Sequence, residues 1–141
     1  MSVVISNFTM ADYSDVVALW RATEGVGLSS ADEPERIAAY LERNPGISFV
    51  ARADGELVGA VLAGHDGRRG YLHHLAVRAD RRGQGIGTRL VEHCLAALGQ
   101  AGIDKCHLFV FQSNSGGLAF WRKGGWKDRV ELVLMSKNVP G

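Results

Sequence analysis

The sequence predicts an α+β fold of three layers, in which about four helices flank a mixed, mainly antiparallel sheet of about six to seven strands. Two turn motifs and one strand–helix–strand crossover in the sequence predict this fold. Asp54-Gly55 between two apolar runs is the strongest short hairpin signal, and the polar turn at residues 65–70 adds a third strand to that hairpin. A helical pattern at residues 86–98 then joins two β-rich runs, which suits a parallel crossover.

The N-terminal part of the chain predicts one strand followed by two helices. Residues 3–8 form the opening strand, and Asp12 or Ser14 is positioned to cap a helix whose apolar residues favour one side. Pro34 fits the first turn of a second helix, which ends before the Asn-Pro-Gly stop at residues 44–46. The sheet resumes after that stop.

The rest of the chain supplies the other strands and two more helices. The strands are predicted at residues 47–53, 56–62, 71–77, 107–111 and 130–135. The helix at residues 86–98 carries apolar residues at helical spacing, and a further helix spans residues 114–123 before Gly124-Gly125. Both helices are expected to pack on the sheet.

Composition limits the possible classes of function. With 141 residues, 46% of them apolar, the chain is expected to form one domain around a single core. A net charge of +1, with bases scattered among acids, argues against nucleic acid or a membrane surface as partner. Cys94 and Cys106 lack CxxC spacing, so neither a disulfide framework nor a structural zinc site is predicted. The chain shows no secretory signal and no membrane span, and we expect a cytoplasmic protein.

A glycine-rich turn lies between a predicted strand and a predicted helix. Residues 81–88 read Arg-Arg-Gly-Gln-Gly-Ile-Gly-Thr. The start of a helix leaves backbone N–H groups unpaired and carries partial positive charge, so this junction suits a phosphate or pyrophosphate. A Walker loop is excluded because Gly87-Thr88-Arg89 stands where Gly-Lys-Ser/Thr is needed, and the dinucleotide fingerprint fails at Thr88. The alternative is a turn that serves chain reversal only.

Two segments carry a resemblance to a known family. Residues 82–87, Arg-Gly-Gln-Gly-Ile-Gly, resemble the R/Q-x-x-G-x-G/A acyl-CoA motif of the GNAT superfamily of N-acetyltransferases, and Leu75-Ala76-Val77 precedes them. Residues 114–126 are similar, more loosely, to the family's N-x-x-A-x-x-Φ-Y-x-x-x-G-F segment. The order of predicted strands and helices extends the resemblance to nearly the whole chain.

The resemblance implies acetyl-CoA as co-substrate and requires no metal. Backbone amides of residues 83–88 would hold the pyrophosphate, while the strand around Leu75 would bind the pantetheine arm and polarise the thioester carbonyl. Asn114 would meet the arm from the other side, or would simply cap a helix. The implied cofactor-binding residues are Leu75, Ala76, Val77, Arg82, Gly83, Gln84, Gly85, Ile86, Gly87, Thr88 and Asn114.

The chain departs from the family pattern at two catalytic positions. Tyr71 stands where many relatives have a glutamate that deprotonates the acceptor, and His73 lies on the same face of a regular strand. His74 points to the other face unless a bulge intervenes. We expect His73 or Tyr71 to contact the acceptor or a water molecule bound to it. The alternative is that these residues only line the pocket. Trp121 replaces a tyrosine that protonates the departing thiolate in relatives, and indole cannot do so.

The function that follows from the resemblance is transfer of an acetyl group to a primary amine, by direct attack in a ternary complex. The acceptor is a small-molecule amine or a protein amino group. Its pocket is expected between the first two helices, where Glu24, Asp32 and Glu33 would attract a cation or merely precede a helix. The alternative is a non-catalytic acyl-CoA-binding sensor or interaction module. Exposed ends of strands near the end of the sequence would permit two copies of the chain to form a homodimer.

Overall fold

The computed structural model describes residues 2–141, which form five strands and four α-helices. The strands are β1 (Val3–Asn7), β2 (Phe49–Ala53), β3 (Glu56–His65), β4 (Gly70–Val77) and β5 (Cys106–Leu108). The helices are α1 (Tyr13–Arg21), α2 (Pro34–Arg43), α3 (Ile86–Gln100) and α4 (Ser115–Lys123). Among these residues, no helix has the length and apolar character needed to cross a membrane.

The strands form one sheet in the order β1-β2-β3-β4-β5. Neighbours from β1 to β4 are antiparallel, whereas β4 and β5 are parallel and are joined through α3. Asp54 and Gly55 both have positive φ, 52° and 80°, as a tight hairpin between β2 and β3 requires. The predicted mixed, mainly antiparallel sheet and its parallel crossover are therefore confirmed.

Helices cover both faces of the sheet and create two apolar clusters. On the α3 face, Leu90, Cys94 and Leu98 pack against inward side chains of β2, β3 and β4. On the α1/α2 face, Trp20 and Ile37 pack against a second set of strand residues.

Strand β4 contains a bulge that changes which side its residues face. Leu62 of β3 pairs with His73, but Ala60 pairs with Ala76, so β4 has one residue more than β3 across this interval. His74 adopts a left-handed φ of 54° at this point. Leu72 packs on the α3 face before the bulge, whereas Ala76 packs on the α1/α2 face after it. As a result His73 and His74 both lie on the α1/α2 face.

The end of the chain differs from the sequence prediction. Within residues 2–141 the sheet has five strands rather than six to seven, the predicted strand at residues 107–111 is shortened to Cys106–Leu108, and residues 130–135 form no strand. A strand needs a neighbour to complete its hydrogen bonds. The pairing of β4 with β5 ends at Leu108, and the apolar residues after α4 are exposed instead of paired. A β-rich composition was therefore not sufficient by itself to make residues 130–135 a strand.

Both cysteines are free and lie near α3 and β5. Burial raises the pKa of the Cys94 thiol to about 12 and that of the Cys106 thiol to about 11. Both side chains are therefore protonated thiols at neutral pH.

Candidate active site

A cleft of about 1300 Å³ opens between β4, the start of α3, α4 and the connection between α1 and α2. Most of the predicted cofactor-binding residues line it: Leu75, Val77, Arg82, Gly83, Gly85, Ile86, Gly87, Thr88 and Asn114. The sequence motif, the strand before it and the later segment at Asn114 are thus brought to one cavity.

One end of the cleft is formed by the glycine-rich turn. Gly83 and Gly85 have φ of 78° and 81°, and a Cβ at either would meet no atom of the described residues within 4 Å. Backbone conformation rather than crowding therefore requires glycine at both positions. Gly85 is the N-cap of α3, and in the described chain no side chain caps this helix and no acidic residue lies in its first turn. The N–H groups of the first turn are open to an anion from the cleft.

Arginine side chains flank this turn. Arg82 donates from Nε to the carbonyl oxygen of Val77 at 3.1 Å, which ties the turn back to the end of β4. Arg78 is paired with Asp80 at 2.7 Å and with Glu56 at 3.1 Å. Arg81 lines the cleft together with Lys123 of α4. Arg81, Arg82 and Lys123 therefore place positive charges in the lining beside the open helix start, and Glu24 and Glu92 also belong to that lining.

Two predicted cofactor-binding residues do not line the cleft with their side chains. Ala76 is buried in the apolar cluster on the α1/α2 face. Gln84 is exposed and lies outside the lining of the cleft. A contact from either to a ligand would therefore have to involve the backbone.

The connection between α1 and α2 packs against the start of α4 and closes this side of the cleft. Asn114 Oδ1 accepts a hydrogen bond from the Gly117 N–H at 2.9 Å, so Asn114 caps α4. The helix cap is one of the two roles that the sequence predicted for Asn114. A Cβ on Gly25 would collide with Asn114 Nδ2, and one on Gly27 would come within 3.0 Å of Phe111 Cζ. Gly25 and Gly27 thus permit close packing at this contact.

Tyr71 and His73 lie on the α1/α2 face of β4, outside the lining of the cleft. Their rings are stacked with centroids 6.4 Å apart, and the His73 ring meets the edge of Tyr40 at 6.1 Å. Burial lowers the pKa of His73, and the charge of His74 lowers it further. Burial also raises the pKa of Tyr40 to about 12. His73 is therefore a neutral imidazole at neutral pH.

A histidine–carboxylate pair that the sequence did not predict stands beside them. His74 Nε2 lies 2.9 Å from Asp32 Oδ1, and Asp32 is buried in the connection between α1 and α2. Asp32 Oδ2 accepts the Ser29 N–H at 3.0 Å, and Trp20 Nε1 donates to the His74 carbonyl oxygen at 2.8 Å. These contacts fix both the ring and the backbone of His74. From the sequence, Asp32 was expected to attract a cation and His74 to face the other side unless a bulge intervened, but the contact between the two residues was not predicted.

Trp121 of α4 lines the cleft and packs on the apolar cluster of the α3 face. Its ring meets Phe120 and Trp126 edge to face, with centroids 5.0 Å and 5.2 Å apart. The ring that replaces the expected tyrosine is therefore held by aromatic packing.

Comparison with known proteins identifies the family. Residues 13–126 match the acetyltransferase (GNAT) family. An acetyltransferase of Pectobacterium atrosepticum is 33% identical over 133 residues, which cover 94% of this chain and 92% of the relative.

Solved structures share the fold at lower identity. The PaiA N-acetyltransferase of Thermoplasma acidophilum, solved in complex with coenzyme A, has a TM-score of 0.77 at 21% identity, over 90% of this chain and 91% of that one. The aminoglycoside 6′-N-acetyltransferase of Acinetobacter haemolyticus has a TM-score of 0.77 at 17% identity, over 99% and 100% of the two chains. The fold, the glycine-rich cleft and the family match lead to one conclusion: the chain belongs to the GNAT family of acetyltransferases.

Proposed function

We propose that this acetyltransferase carries an acetyl group from acetyl-CoA to a primary amine, by direct attack within a ternary complex. The observation that carries the proposal is the cleft itself. The open start of α3, which suits a diphosphate, lines this cleft together with Leu75, which directly follows His74 at the bulge of β4. The similar Thermoplasma enzyme was solved with coenzyme A bound, which supports the choice of coenzyme.

Backbone amides of residues 83–88 hold the pyrophosphate of the coenzyme in this proposal. A hydrogen bond to a charged oxygen contributes about 1.5–3 kcal/mol, so several of them supply much of the ~8 kcal/mol that micromolar binding requires. Arg81, Arg82 and Lys123 add positive charge around them. Binding at this end therefore depends on the backbone shape that Gly83 and Gly85 permit.

The acetyl group lies at the bulge of β4. His74 and Leu75 fall between the register pairs that join β3 to β4 on either side of the bulge. We infer that the Leu75 N–H donates to the thioester carbonyl and stabilises the charge that develops on it during attack. Leu75 and Val77 flank the pantetheine arm, and Asn114 borders it from α4.

The acceptor amine must lose a proton before or during attack. An alkyl amine has a pKa near 10.4, so at pH 7 its neutral form costs about 4.6 kcal/mol. We propose that the His74–Asp32 pair receives this proton, directly or through water. Asp32 engages Nε2 and stabilises the imidazolium, which leaves Nδ1 for the acceptor. Tyr71 and His73 stay our predicted contacts to the acceptor or its water.

The departing thiolate needs no dedicated acid in this proposal. A thiol pKa near 8.5 makes the thiolate a tolerable leaving group at neutral pH. Trp121 has no proton to give to it and serves to pack against the arm and the core. Solvent or Tyr71 protonates the thiolate after transfer.

The acceptor class is a cationic amine of a small molecule or of a protein. Glu24 lines the cleft, and Asp32, which is buried outside that lining, is in contact with His74. The similar Acinetobacter enzyme acts on an aminoglycoside, which is an amine of this kind. We expect cationic amines to be preferred over neutral nucleophiles such as alcohols.

The test is release of coenzyme thiol from acetyl-CoA in the presence of a panel of amines: polyamines, aminoglycosides, amino acids and peptides with free N-termini. We expect release above background with at least one class, and acetylated amine in equal amount by mass spectrometry. Calorimetric binding of coenzyme A without thiol release from any amine would favour a non-catalytic acyl-CoA-binding module and contradict the proposal. Absence of coenzyme A binding would show that the cleft is not a coenzyme site, and it would also contradict the proposal.

A further inference from the structure

Aromatic side chains form a row on the α1/α2 face of β4 and β5. The residues that alternate with them along the strands pack on the opposite, α3 face, and they are Leu72, Cys106 and Leu108. We define the aromatic row as Tyr40 of α2, His73 and Tyr71 of β4, His107 of β5, and Phe109 just after β5. Tyr71 and His73 alone have a place in the proposed function, so the rest of the row has no role assigned to it.

The rings of the aromatic row contact one another, and three of them are nearly parallel. The ring centroids of Tyr71 and His73 are 6.4 Å apart with 9° between the ring planes, and those of Tyr71 and Phe109 are 6.4 Å apart with 16°. His107 lies 5.9 Å from Tyr71, and Tyr40 meets His73 at 6.1 Å. Aromatic rings attract further rings in offset or edge-to-face contact, so a flat ring can extend such a row.

The aromatic row is accessible from outside. Phe109 is 58% exposed, and Tyr71, His73 and His107 are only partly buried. Burial lowers the pKa of His73, so the ring in the middle of the row is neutral at neutral pH and does not repel a cation. Exposed apolar surface beside a reaction site is typical of a binding groove.

The aromatic row leads to the histidine–carboxylate pair at the bulge of β4. His74 follows His73 in the chain, and their ring centroids are 6.3 Å apart. Asp32 contacts His74 and supplies negative charge at this end of the row. A carbon–carbon bond is about 1.5 Å long, so a link of about two or three carbons joins a ring on the row beside His73 to an amine at His74. Leu75, whose N–H we assign to the thioester carbonyl, is the next residue.

We propose that the acceptor is an aromatic amine, in which a short carbon link joins the primary amine to a ring that packs on the aromatic row. This inference rests on the proposed function, because it names the acceptor class of the same site. A free arylalkylamine and a peptide whose first residue is aromatic share this chemistry. Polyamines and aminoglycosides have no aromatic ring, so the row adds no ring contact to their binding.

Two amines that differ in their ring test the proposal. Phenylethylamine and cyclohexylethylamine have the same link and the same amine, but the ring of the second is not aromatic. Release of coenzyme thiol from acetyl-CoA gives kcat/KM for each amine, and the quantity compared between proteins is the ratio of the two values. The ratio is compared between the wild type and variants of the row, so that the different basicities of the two amines cancel.

Phe109→Leu removes the most exposed ring of the row and keeps an apolar side chain. We expect the ratio to fall about 2- to 12-fold in this variant, the contribution of one aromatic pair, and Tyr71→Leu to lower it at least as much. Phe49→Leu is the matched control, because Phe49 of β2 packs on the α3 face against His93 at 5.2 Å, and it should leave the ratio unchanged. An unchanged ratio in both row variants, with both amines still acetylated, would overturn the inference and leave the proposed function standing.

Short peptides separate the two sources of an aromatic amine. A peptide that begins with Phe is compared with one that begins with Leu and with free phenylethylamine. Preference for the Phe peptide over both supports the proposal with a protein N-terminus as acceptor, and preference for phenylethylamine supports it with a small molecule. Preference for the Leu peptide would overturn it.

Nuclear Overhauser contacts give a readout that needs no turnover. With the wild-type protein saturated with coenzyme A, we expect contacts from the phenyl protons of phenylethylamine to the ring protons of His73, His107 or Phe109. Such contacts without thiol release would contradict the proposed function but keep the row as a site for aromatic amines. Thiol release from phenylethylamine without these contacts would overturn the inference alone, and absence of both would overturn both proposals.

Discussion

The start of α3 forms a site in the cleft that is built from backbone, whereas the histidine–carboxylate pair at the bulge of β4, outside the lining of the cleft, is built from side chains drawn from separate parts of the chain. Gly83 and Gly85 shape the first site, and both belong to one continuous motif. The pair at the bulge joins His74 of β4 to Asp32, and their 2.9 Å contact spans 42 positions of sequence. The proposed coenzyme site is therefore encoded locally, while the proposed acceptor site exists only after the sheet and helices have packed.

The difference suggests how each site tolerates change. A backbone cradle is insensitive to most side-chain substitutions but depends on the few positions with positive φ. A side-chain pair is sensitive to each partner and to the bulge that orients it. Substitutions at the two sites should therefore affect different kinetic constants.

The largest expected effect is at His74. His74→Asn keeps a residue that accepts the left-handed φ of 54°, but it removes the proton acceptor. We expect kcat to fall about 100- to 10,000-fold, the usual contribution of a general base, with coenzyme A affinity unchanged. Steady-state kinetics and calorimetry measure the two quantities. His93→Asn, on the exposed side of α3, is the matched control. A kcat within about threefold of the wild type would exclude His74 as the base.

The next effect is at the coenzyme end. Gly85→Ala puts a Cβ into the cradle, and we expect kcat/KM for acetyl-CoA to fall about 10- to 150-fold, as for loss of one hydrogen bond to a charged oxygen. Gly102→Ala is the control for strain, since Gly102 has φ of 85° and equally open surroundings at the far end of α3. Equal losses of activity in both variants would show that backbone strain alone causes the effect.

A smaller effect concerns the pH dependence of stability. Because burial lowers the pKa of His73, the unfolded chain binds a proton near pH 6.5 that the folded chain takes up only at lower pH. The free energy of unfolding of the wild type should therefore decrease as the pH falls below about 6.5, and that of His73→Gln should decrease less. Urea titrations at several pH values measure this. Identical pH dependence in both proteins would contradict the direction of the pKa shift.

The same variant and Tyr71→Phe also test the predicted contacts to the acceptor. We expect each to lower the rate of acetyl transfer by less than His74→Asn does, and His73→Gln also to alter the acid limb of the pH profile. Wild-type turnover and an unchanged pH profile in both would remove His73 and Tyr71 from the mechanism.

The smallest effect is expected at Trp121. Trp121→Tyr restores the residue that relatives carry, and we expect turnover within about threefold of the wild type because thiolate release needs no dedicated acid. The smaller ring loses part of its packing against Phe120 and Trp126, so thermal stability should decrease modestly. A collapse of turnover in a folded protein would show that the indole has a role of its own.

Features determined by neighbouring residues were predictable from the sequence. Asp54-Gly55 predicted its hairpin because the required positive φ values suit these two residue types. The glycine-rich motif predicted the end of the cleft at α3 for the same reason. Asn114 was predicted as a helix cap from its residue type and position.

Features that depend on distant partners were not predictable. A regular strand would direct His73 and His74 to opposite faces, and the single extra residue at the bulge reverses this for His74. Residues 130–135 have the composition of a strand, but composition does not supply the neighbouring strand that completes the hydrogen bonds of a strand. The number of strands and the His74–Asp32 pair were missed for this same physical reason.

The state of the two cysteines has a consequence for an enzyme that handles a thiol. In the proposed reaction every acetyl transfer liberates free coenzyme A, and a free thiol can form mixed disulfides with reactive protein cysteines. Cys94 and Cys106 have pKa values of about 12 and 11, so very little of either is ionised in the cell's pH range. The fold thereby protects the catalyst from being trapped by its own product.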